Sequence, residues 1–372
     1  MNIAQVTCSL TSGGAEKIAA ELGQYMKRRN HSADVIILDR FSGNAYENQI
    51  IKKLNRAGVA VYSMGRKPGS YFSTIVAVIR MAWFFKKKKY AIVNSHLRLT
   101  HFMVALARYL NLNTFKQVIT IHSSIESWLP LSKRLNKKAH VVLCGAQAKD
   151  ISKNVASKKL IENGVFLPSP KLDAAEKERL RKKYGCGQNS WLVLSVGNLT
   201  DRKNYNLAID VMERLKRERT DWDWRYLICG EGPQKDSLSD YIAEKKLEGS
   251  VHLLGARSDI GDLHFCADCF LSTSKAEGLP LSVIEACMAG TPCVLSPIDA
   301  HKAISTEIAG VIMPEENEVK PVADALTGVR TQSVNRETLI EQRKIPLDKY
   351  SFNNMARAYE AFYHEVLESP LV

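Results

Sequence analysis

The sequence predicts an α/β chain made of two doubly wound, Rossmann-like domains in tandem, each on a parallel sheet. Three observations carry this expectation. Short runs rich in Val and Ile alternate with longer amphipathic stretches, as buried parallel strands alternate with crossover helices. The alternation runs twice, and the break near 168–190 holds Pro168, Pro170, a highly charged stretch, Gly185 and Gly187. Such punctuation suits a linker and the entry to a second domain. The length, 372 residues, suits two domains of roughly 100–200 residues each.

The first series of expected strands is 2–8, 32–39, 59–64, 91–96, 116–122 and 140–145, with a first helix over 15–29. The second series is 191–197, 224–230, 251–255, 269–274, 292–296 and 310–313. The domains are therefore expected at 1–168 and 169–350. The segment 350–369 reads as an amphipathic helix whose Phe352, Tyr359, Phe362 and Tyr363 give it an aromatic face. Residues 351–372 are expected as a C-terminal helix packing back towards the N-terminal domain. No short sequence repeat is visible. Ligands of open α/β sheets bind beyond the carboxyl ends of the strands, so a cleft between two such domains is the expected substrate site.

The hydrophobic fraction of 45% is enough for a substantial core. No stretch reaches the ~20 apolar residues needed to cross a bilayer. The nearest, 71–85, is too short and contains Arg80. MNIAQVTCSL reads as a first strand and not as a leader, which favours a cytoplasmic protein. Eight cysteines without a framework spacing fit a reducing compartment. The pair Cys266 and Cys269 forms a CxxC, with no second CxxC or matching His spacing, and reads as packing. The net charge of +13 draws a chain towards nucleic acid or anionic membrane. No zinc-finger, basic-zipper or RNA-binding signature is present, so nucleic acid is not expected as a partner. The run KKKK at 86–89 follows the aromatic-rich stretch 71–85. This suits the inner face of a membrane, and a solvated helix end is the alternative.

The segment 269–296, CFLSTSKAEGLPLSVIEACMAGTPCVLS, carries the most chemistry. A strand ends near Ser274, a turn carries Glu277 and Gly278, and a helix runs from about Leu281 to Ala289, ended by Gly290. Helix starts offer unpaired amides and partial positive charge, which suits phosphate. If the whole Glu277–Glu285 segment were helical, eight residues would rise about 12 Å, enough for one carboxylate to reach a sugar and the other a ribose. Glu277 could instead complement the helix dipole. Glu285 sits in the apolar run VIEACMA, where an unpaired carboxylate is costly. A hydroxyl-bearing ligand suits it as partner.

The Glu-x7-Glu spacing with GLPL and GTPCV resembles the donor-site signature of retaining GT-B glycosyltransferases of family four. Further matches follow in order over nearly the whole chain: TSGGAEKIAAEL (11–22), TIHSS (120–124), ENGV (162–165), VGNLTDRKN (196–204) and ICGEGP (228–233). Each alone is weak, and their joint order is specific. The resemblance implies a GT-B fold whose N-terminal domain takes the acceptor and whose C-terminal domain takes a nucleotide-sugar. It implies that Glu277 binds the donor sugar and Glu285 the ribose. Lys203 falls at the phosphate-lysine position, where fixed charge stabilises the departing diphosphate. Asn198 stands where the family carries an arginine, and Arg202 either replaces it or faces solvent. Gly278, Leu279 and Leu281 fall at the helix start, and Gly230 and Leu254 near the base. Gly14, after Gly13, offers its amide to the donor phosphate or the acceptor. His122 would hydrogen-bond the transferred sugar or the acceptor, and His96 would line the acceptor side. No metal or other cofactor is implied, and the DWD at 221–223 reads as a loop.

The sequence therefore predicts a retaining hexosyltransferase acting from a nucleotide-diphosphate sugar. A UDP-sugar is the default and a GDP-sugar the alternative. The expected acceptor is a glycan, lipid-linked or otherwise an envelope precursor, at the inner face of the membrane. A sugar-nucleotide epimerase on the same fold and a charge-driven binding protein are the competing readings.

Overall fold

The structure is a computed structural model. It describes residues 1–10, 14–111, 114–122, 134–144, 155–165, 173–187, 189–332 and 334–369. Gly13, Ser123 and Ser124 of the motifs and Pro168 and Pro170 of the expected linker lie outside the described residues, as does the expected boundary at 168/169. The chain divides into one unit of Met1–Gly164 with Phe352–Val372, and a second of Val165–Ser351.

The first unit holds a seven-stranded sheet in the order β3-β2-β1-β4-β5-β6-β7. Its strands are β1 Asn2–Thr7, β2 Ser32–Asp39, β3 Ala60–Arg66, β4 Ile92–Ser95, β5 Lys116–Ile121, β6 His140–Leu143 and β7 Ser157–Leu160. Every pair is parallel. Strand β7 was not expected. Its sequence, SKKL, is polar, and its residues alternate between half-buried and exposed. Edge strands carry lysine because their outer hydrogen-bonding groups must not recruit another strand. The usual apolar signal is thereby erased.

The second unit holds a six-stranded parallel sheet in the order β10-β9-β8-β11-β12-β13. The strands are β8 Trp191–Val196, β9 Trp224–Cys229, β10 Val251–Gly255, β11 Cys269–Ser272, β12 Cys293–Leu295 and β13 Val311–Ile312. Successive residues of a strand point to opposite faces, so both faces are packed. Val193, Cys269 and Leu271 join one core cluster, while Leu192, Leu194, Cys266 and Phe270 join the other. Cys266 and Cys269 are thus buried in opposite layers, and both are free thiols. That separation explains why this CxxC is packing. The charged stretch after the linker forms the helix Ala174–Lys183. A capping box starts it, with Glu176 N donating to Asp173 Oδ1 (2.7 Å) and Asp173 N to Glu176 Oε2 (3.0 Å).

In each sheet the winding reverses once, between β1 and β4 and between β8 and β11. In folds of this type, ligands bind beyond the carboxyl ends of the strands at such a reversal. The C-terminal helix Phe352–Glu368 belongs to the first unit and buries Phe352, Tyr359, Phe362 and Tyr363. Among the described residues, no helix is long and apolar enough to cross a membrane.

Candidate active site

In the second unit, the loops after β8 and β11 come together at the reversal point. The β8 loop passes through Gly197 and Asn198 into a short 3-10 turn, Asp201–Lys203. Asn204 then adopts φ 54° to start the helix Tyr205–Glu218. The β11 loop clamps this turn. Thr273 Oγ1 donates to the carbonyls of Lys203 (3.2 Å) and Asn204 (2.9 Å), and Lys275 N donates to Arg202 O (2.8 Å). Lys203 and Glu277, 74 residues apart in sequence, thereby meet. Lys203 Nζ donates to Glu277 Oε1 at 2.6 Å, and Ser274 Oγ donates to the same oxygen at 2.8 Å. Burial alone would push the Glu277 carboxyl up. Lys203, Ser274 and the exposed Arg202 overcome that and hold it below the ordinary carboxylate range.

The glycines here serve close approach. A Cβ on Gly230, whose φ is +156°, would stand 1.9 Å from the Gly197 carbonyl oxygen. A Cβ on Gly197 would stand 2.7 Å from Lys203 Cε. Gly197 therefore leaves the passage for the lysine stem, and Gly230 lets the β9 loop lie against the β8 loop. Gly230 N donates to Gly255 O (2.9 Å), and Leu254 is half-buried in the adjacent strand. The family resemblance implies that Gly230 and Leu254 lie near the base. For Gly230 the structure supplies a packing reason. Gly278 is exposed, and nothing surrounds its Cβ direction within 4 Å.

The helix Leu281–Met288 follows Glu277, and Pro280 precedes its first residue without a side-chain cap. Only the stretch from Leu281 onward is helical, so the full eight-residue helical rise between the two glutamates does not apply. Leu279 and Leu281 are half-buried and pack against the core. Two arginines hold the far end. Arg343 Nη1 donates to the carbonyls of Cys287 (3.1 Å) and Thr291 (2.9 Å), and Arg336 Nη1 to that of Ala289 (3.0 Å). Glu285 is buried, and its Oε2 lies 3.9 Å from His264 Nε2. The fold thus sets an imidazole beside the carboxylate for which the sequence suggested a hydroxylic ligand.

Asn198 and Arg202 are both exposed. The neutral amide stands on the loop, and the one arginine of the turn acts electrostatically on Glu277. The buried His301 was not singled out in the sequence. Its Nδ1 lies 2.9 Å from Ser296 O. Burial pushes it below the ordinary histidine range, with Ser296 and Glu277 opposing the shift and Lys203 adding to it. Nothing in SPIDAHKA marks it, because only the tertiary fold sets it by the charged pair. Asp223 of the DWD precedes β9. It bonds Ser190 Oγ and, at 2.6 Å, Arg225 Nη1, as a loop carboxylate does.

In the first unit, His96 follows β4 and His122 follows β5. Their rings stack with centroids 5.4 Å apart, and His96 Nδ1 lies 3.1 Å from His122 Nε2. Burial pushes both below the ordinary histidine range, His122 to about 4 with Asn163 opposing the shift, and His96 well below with its neighbours His122 and His101 adding to it. Both are neutral at physiological pH. Gly14 is the exposed first residue of the helix Gly14–Arg28. Among the described residues one trio of metal-donating side chains gathers, His31, Glu360 and His364. Glu360 there already accepts from Tyr25 Oη (3.2 Å) and pairs with Arg29 (3.3 Å).

Known proteins agree with this architecture. A family model described as Glycosyl transferases group 1 matches residues 176–344, and one described as Glycosyltransferase Family 4 matches residues 12–165. The chain is 21% identical to N-acetyl-alpha-D-glucosaminyl L-malate synthase of Bacillus anthracis, over 97% of this chain and 96% of that one. It is 29% identical to an Escherichia coli UDP-Gal:alpha-D-GlcNAc-diphosphoundecaprenol alpha-1,3-galactosyltransferase, over 47% of this chain and 46% of that one. Among solved structures, Anabaena HepE in complex with UDP and glucose superposes with a TM-score of 0.79 at 17% identity, covering 98% of this chain and 100% of that one. The lipopolysaccharide glycosyltransferase WaaG superposes with a TM-score of 0.71 at 14% identity, covering 99% and 100%. Two parallel-sheet α/β units, a charged pair at a strand-order reversal and two adjoining family matches lead to one assignment: the chain belongs to the GT-B glycosyltransferases of group 1, and it is a transferase enzyme that moves sugar units.

Proposed function

We propose that the protein is a retaining hexosyltransferase that uses a nucleotide-diphosphate sugar, a UDP-sugar before a GDP-sugar, and a glycan acceptor of envelope type, with no metal required. The observation that carries this reading is the Lys203–Glu277 pair at the reversal point of the second sheet. Without ligand each group neutralises the other. A diphosphate would draw the Lys203 ammonium, and Glu277 would be released to take sugar hydroxyls. As the bond from the sugar C1 to the phosphate oxygen breaks, the leaving diphosphate gains charge that Lys203 and Arg202 stabilise. The acceptor oxygen bonds C1 on the same face, and its proton passes to the leaving phosphate. Glu285 serves the ribose in this reading, and His122 a sugar or acceptor hydroxyl. The test is a thermal-shift panel of UDP- and GDP-sugars followed by turnover with the best binder. Stabilisation by one nucleotide class, lost in Lys203→Ala, is expected. Turnover without any acceptor would point to an epimerase instead.

The acceptor reading places the protein on an anionic membrane surface through the helix Tyr71–Lys88. Ala77, Val78, Met81, Ala82 and Phe85 of this helix are buried. Tyr71, Phe72 and Trp83 are 91%, 79% and 63% exposed, and Ile75 and Ile79 are exposed with them. Residues 71, 75, 79 and 83 recur every four positions, so they share one helix face. Lys86, Lys87 and Lys89 are exposed at its end, and Lys87 Nζ lies 5.2 Å from the Trp83 ring centre. Lys88 turns inward to Tyr62 Oη (2.8 Å). An apolar face beside exposed lysines matches acyl chains beneath anionic headgroups. Sedimentation with vesicles containing phosphatidylglycerol should fall at least tenfold in K86A/K87A/K89A and in F72S/W83S. Unchanged sedimentation in both would remove the membrane from this reading.

A further inference from the structure

Ser274 lies just past β11 and is buried. The loop that carries it is fixed from two other segments of the same unit. Ser296, the residue after β12, donates from N to Ser272 O (2.8 Å) and from Oγ to Ser274 O (2.6 Å). Asn317 Nδ2 donates to Thr273 O (3.1 Å). The carbonyls of Ser272, Thr273 and Ser274 are thereby all satisfied, so the backbone is set at the point where the sheet ends.

The Ser274 hydroxyl then has one place for its proton. Its Oγ lies 2.8 Å from Glu277 Oε1 and 3.2 Å from Ser272 Oγ. The Glu277 carboxyl is held below the ordinary range, so at neutral pH it is ionised and only accepts. Ser274 therefore donates to Glu277, and the contact with Ser272 is one in which Ser272 donates. Among the described residues, both hydrogen bonds that Glu277 accepts end on Oε1, one from Ser274 and one from Lys203. The two donors differ in reach. Ser274 stands three residues before Glu277 in the same loop, on a short side chain. Lys203 comes from the β8 loop on a flexible four-carbon stem.

We infer that Ser274 is a positioning residue for the transfer: its hydroxyl keeps Glu277 Oε1 in place when Lys203 turns to the donor diphosphate, and so leaves Oε2 to accept from a sugar hydroxyl. That Glu277 serves the sugar rests on the proposed function. The hold of Ser274 on Glu277 does not. The Glu277 side chain is only 7% exposed. Without its ammonium and without a second donor it would be an unpaired, nearly buried charge, which is costly. A neutral hydroxyl offsets part of that cost and, unlike a cation, is not drawn away by the phosphates. The two donors thus divide the work, with Lys203 serving donor binding and Ser274 the geometry of the carboxylate during the reaction.

The test titrates the Glu277 carboxyl in the full chain by carbon-13 NMR, with Glu277→Gln to assign its signal. In the ligand-free protein, Ser274→Ala and the similarly shaped Ser274→Cys, a weak donor, should titrate at higher pH than the wild type, because a donor to the ionised form is lost. Ser274→Thr keeps the hydroxyl and should titrate as the wild type does. Lys203, Arg202, Tyr205 and His301, the other titratable groups acting on or affected by this carboxyl, are the same in all three variants. With the nucleotide-sugar that binds best, Ser274→Ala should lower kcat about tenfold, the worth of one hydrogen bond, with the donor KM unchanged. The acid limb of its kcat/KM profile should move to higher pH, and Ser274→Thr should restore both. Identical titration of Glu277 in the wild type, Ser274→Ala and Ser274→Cys overturns the inference. So does wild-type kcat in Ser274→Ala, or a raised donor KM with kcat unchanged. Absence of sugar transfer by the wild type, with the titration as stated, would count against the proposed function and not against the hold of Ser274 on Glu277.

Discussion

Lys203 Nζ and Glu277 Oε1 lie 2.6 Å apart, in two loops that leave neighbouring strands on either side of the reversal in strand order. Their side chains are 13% and 7% exposed, so each charge depends on the other for solvation. A donor that binds here must offer both partners something better than each other.

The pair can be divided by substitution. Glu277→Gln is expected to lower kcat by roughly 10²–10³-fold, the range for losing one pre-placed group at developing charge, with an unchanged circular dichroism spectrum. Lys203→Ala should mainly weaken donor binding. Wild-type turnover in Glu277→Gln would remove that carboxylate from the chemistry.

Arg202 and Asn198 make a second contrast. If Arg202 supplies the charge that Asn198 does not, Arg202→Ala raises the donor KM about tenfold, as one charge-assisted contact of ~1.4 kcal/mol requires. Asn198→Arg in that background should recover most of the loss. Equal KM values across wild type and both variants would assign Arg202 to solvent.

Gly230 tests loop packing separately from charge. Its Cβ direction meets the Gly197 carbonyl at 1.9 Å, so Gly230→Ala must displace backbone. A loss of about 2 kcal/mol or more is expected in urea unfolding, together with weaker binding of UDP-sugars as the β8 loop shifts. Gly278→Ala meets open space and should leave the urea midpoint unchanged.

Acid should weaken the first unit through its histidines. Burial depresses His101 to about 3 and His122 to about 4 from an ordinary 6.5. A depressed pKa means that the unfolded chain takes up protons first. Their contribution is therefore complete above about pH 6.5 and is lost as pH falls towards 4. The melting temperature should decline over that window, and less steeply in His122→Asn. Equal slopes would show that His122 is not held neutral. The Glu277 carboxyl is also depressed, and the stability of its pair is lost at still lower pH.

Much of this protein was legible in one dimension. Buried parallel strands are continuous apolar runs, so twelve of the strands expected from the sequence correspond to β1–β6 and β8–β13. The Glu277 turn, the helix after it and the Gly290 stop follow from local chemistry, because turns and caps depend on a few adjacent residues. Strand β7 was missed because an exposed edge selects lysine over valine. Tertiary structure alone decided what faces what. It brought Lys203 to Glu277, set His264 beside Glu285, and joined Ser296 to Ser274. Sequence spacing carries the periodicity of an element, whereas a contact between loops of different strands depends on strand order and register. The glutamate signature therefore named the enzyme class from the sequence, and the fold determined that the first partner of Glu277 is a lysine 74 residues away.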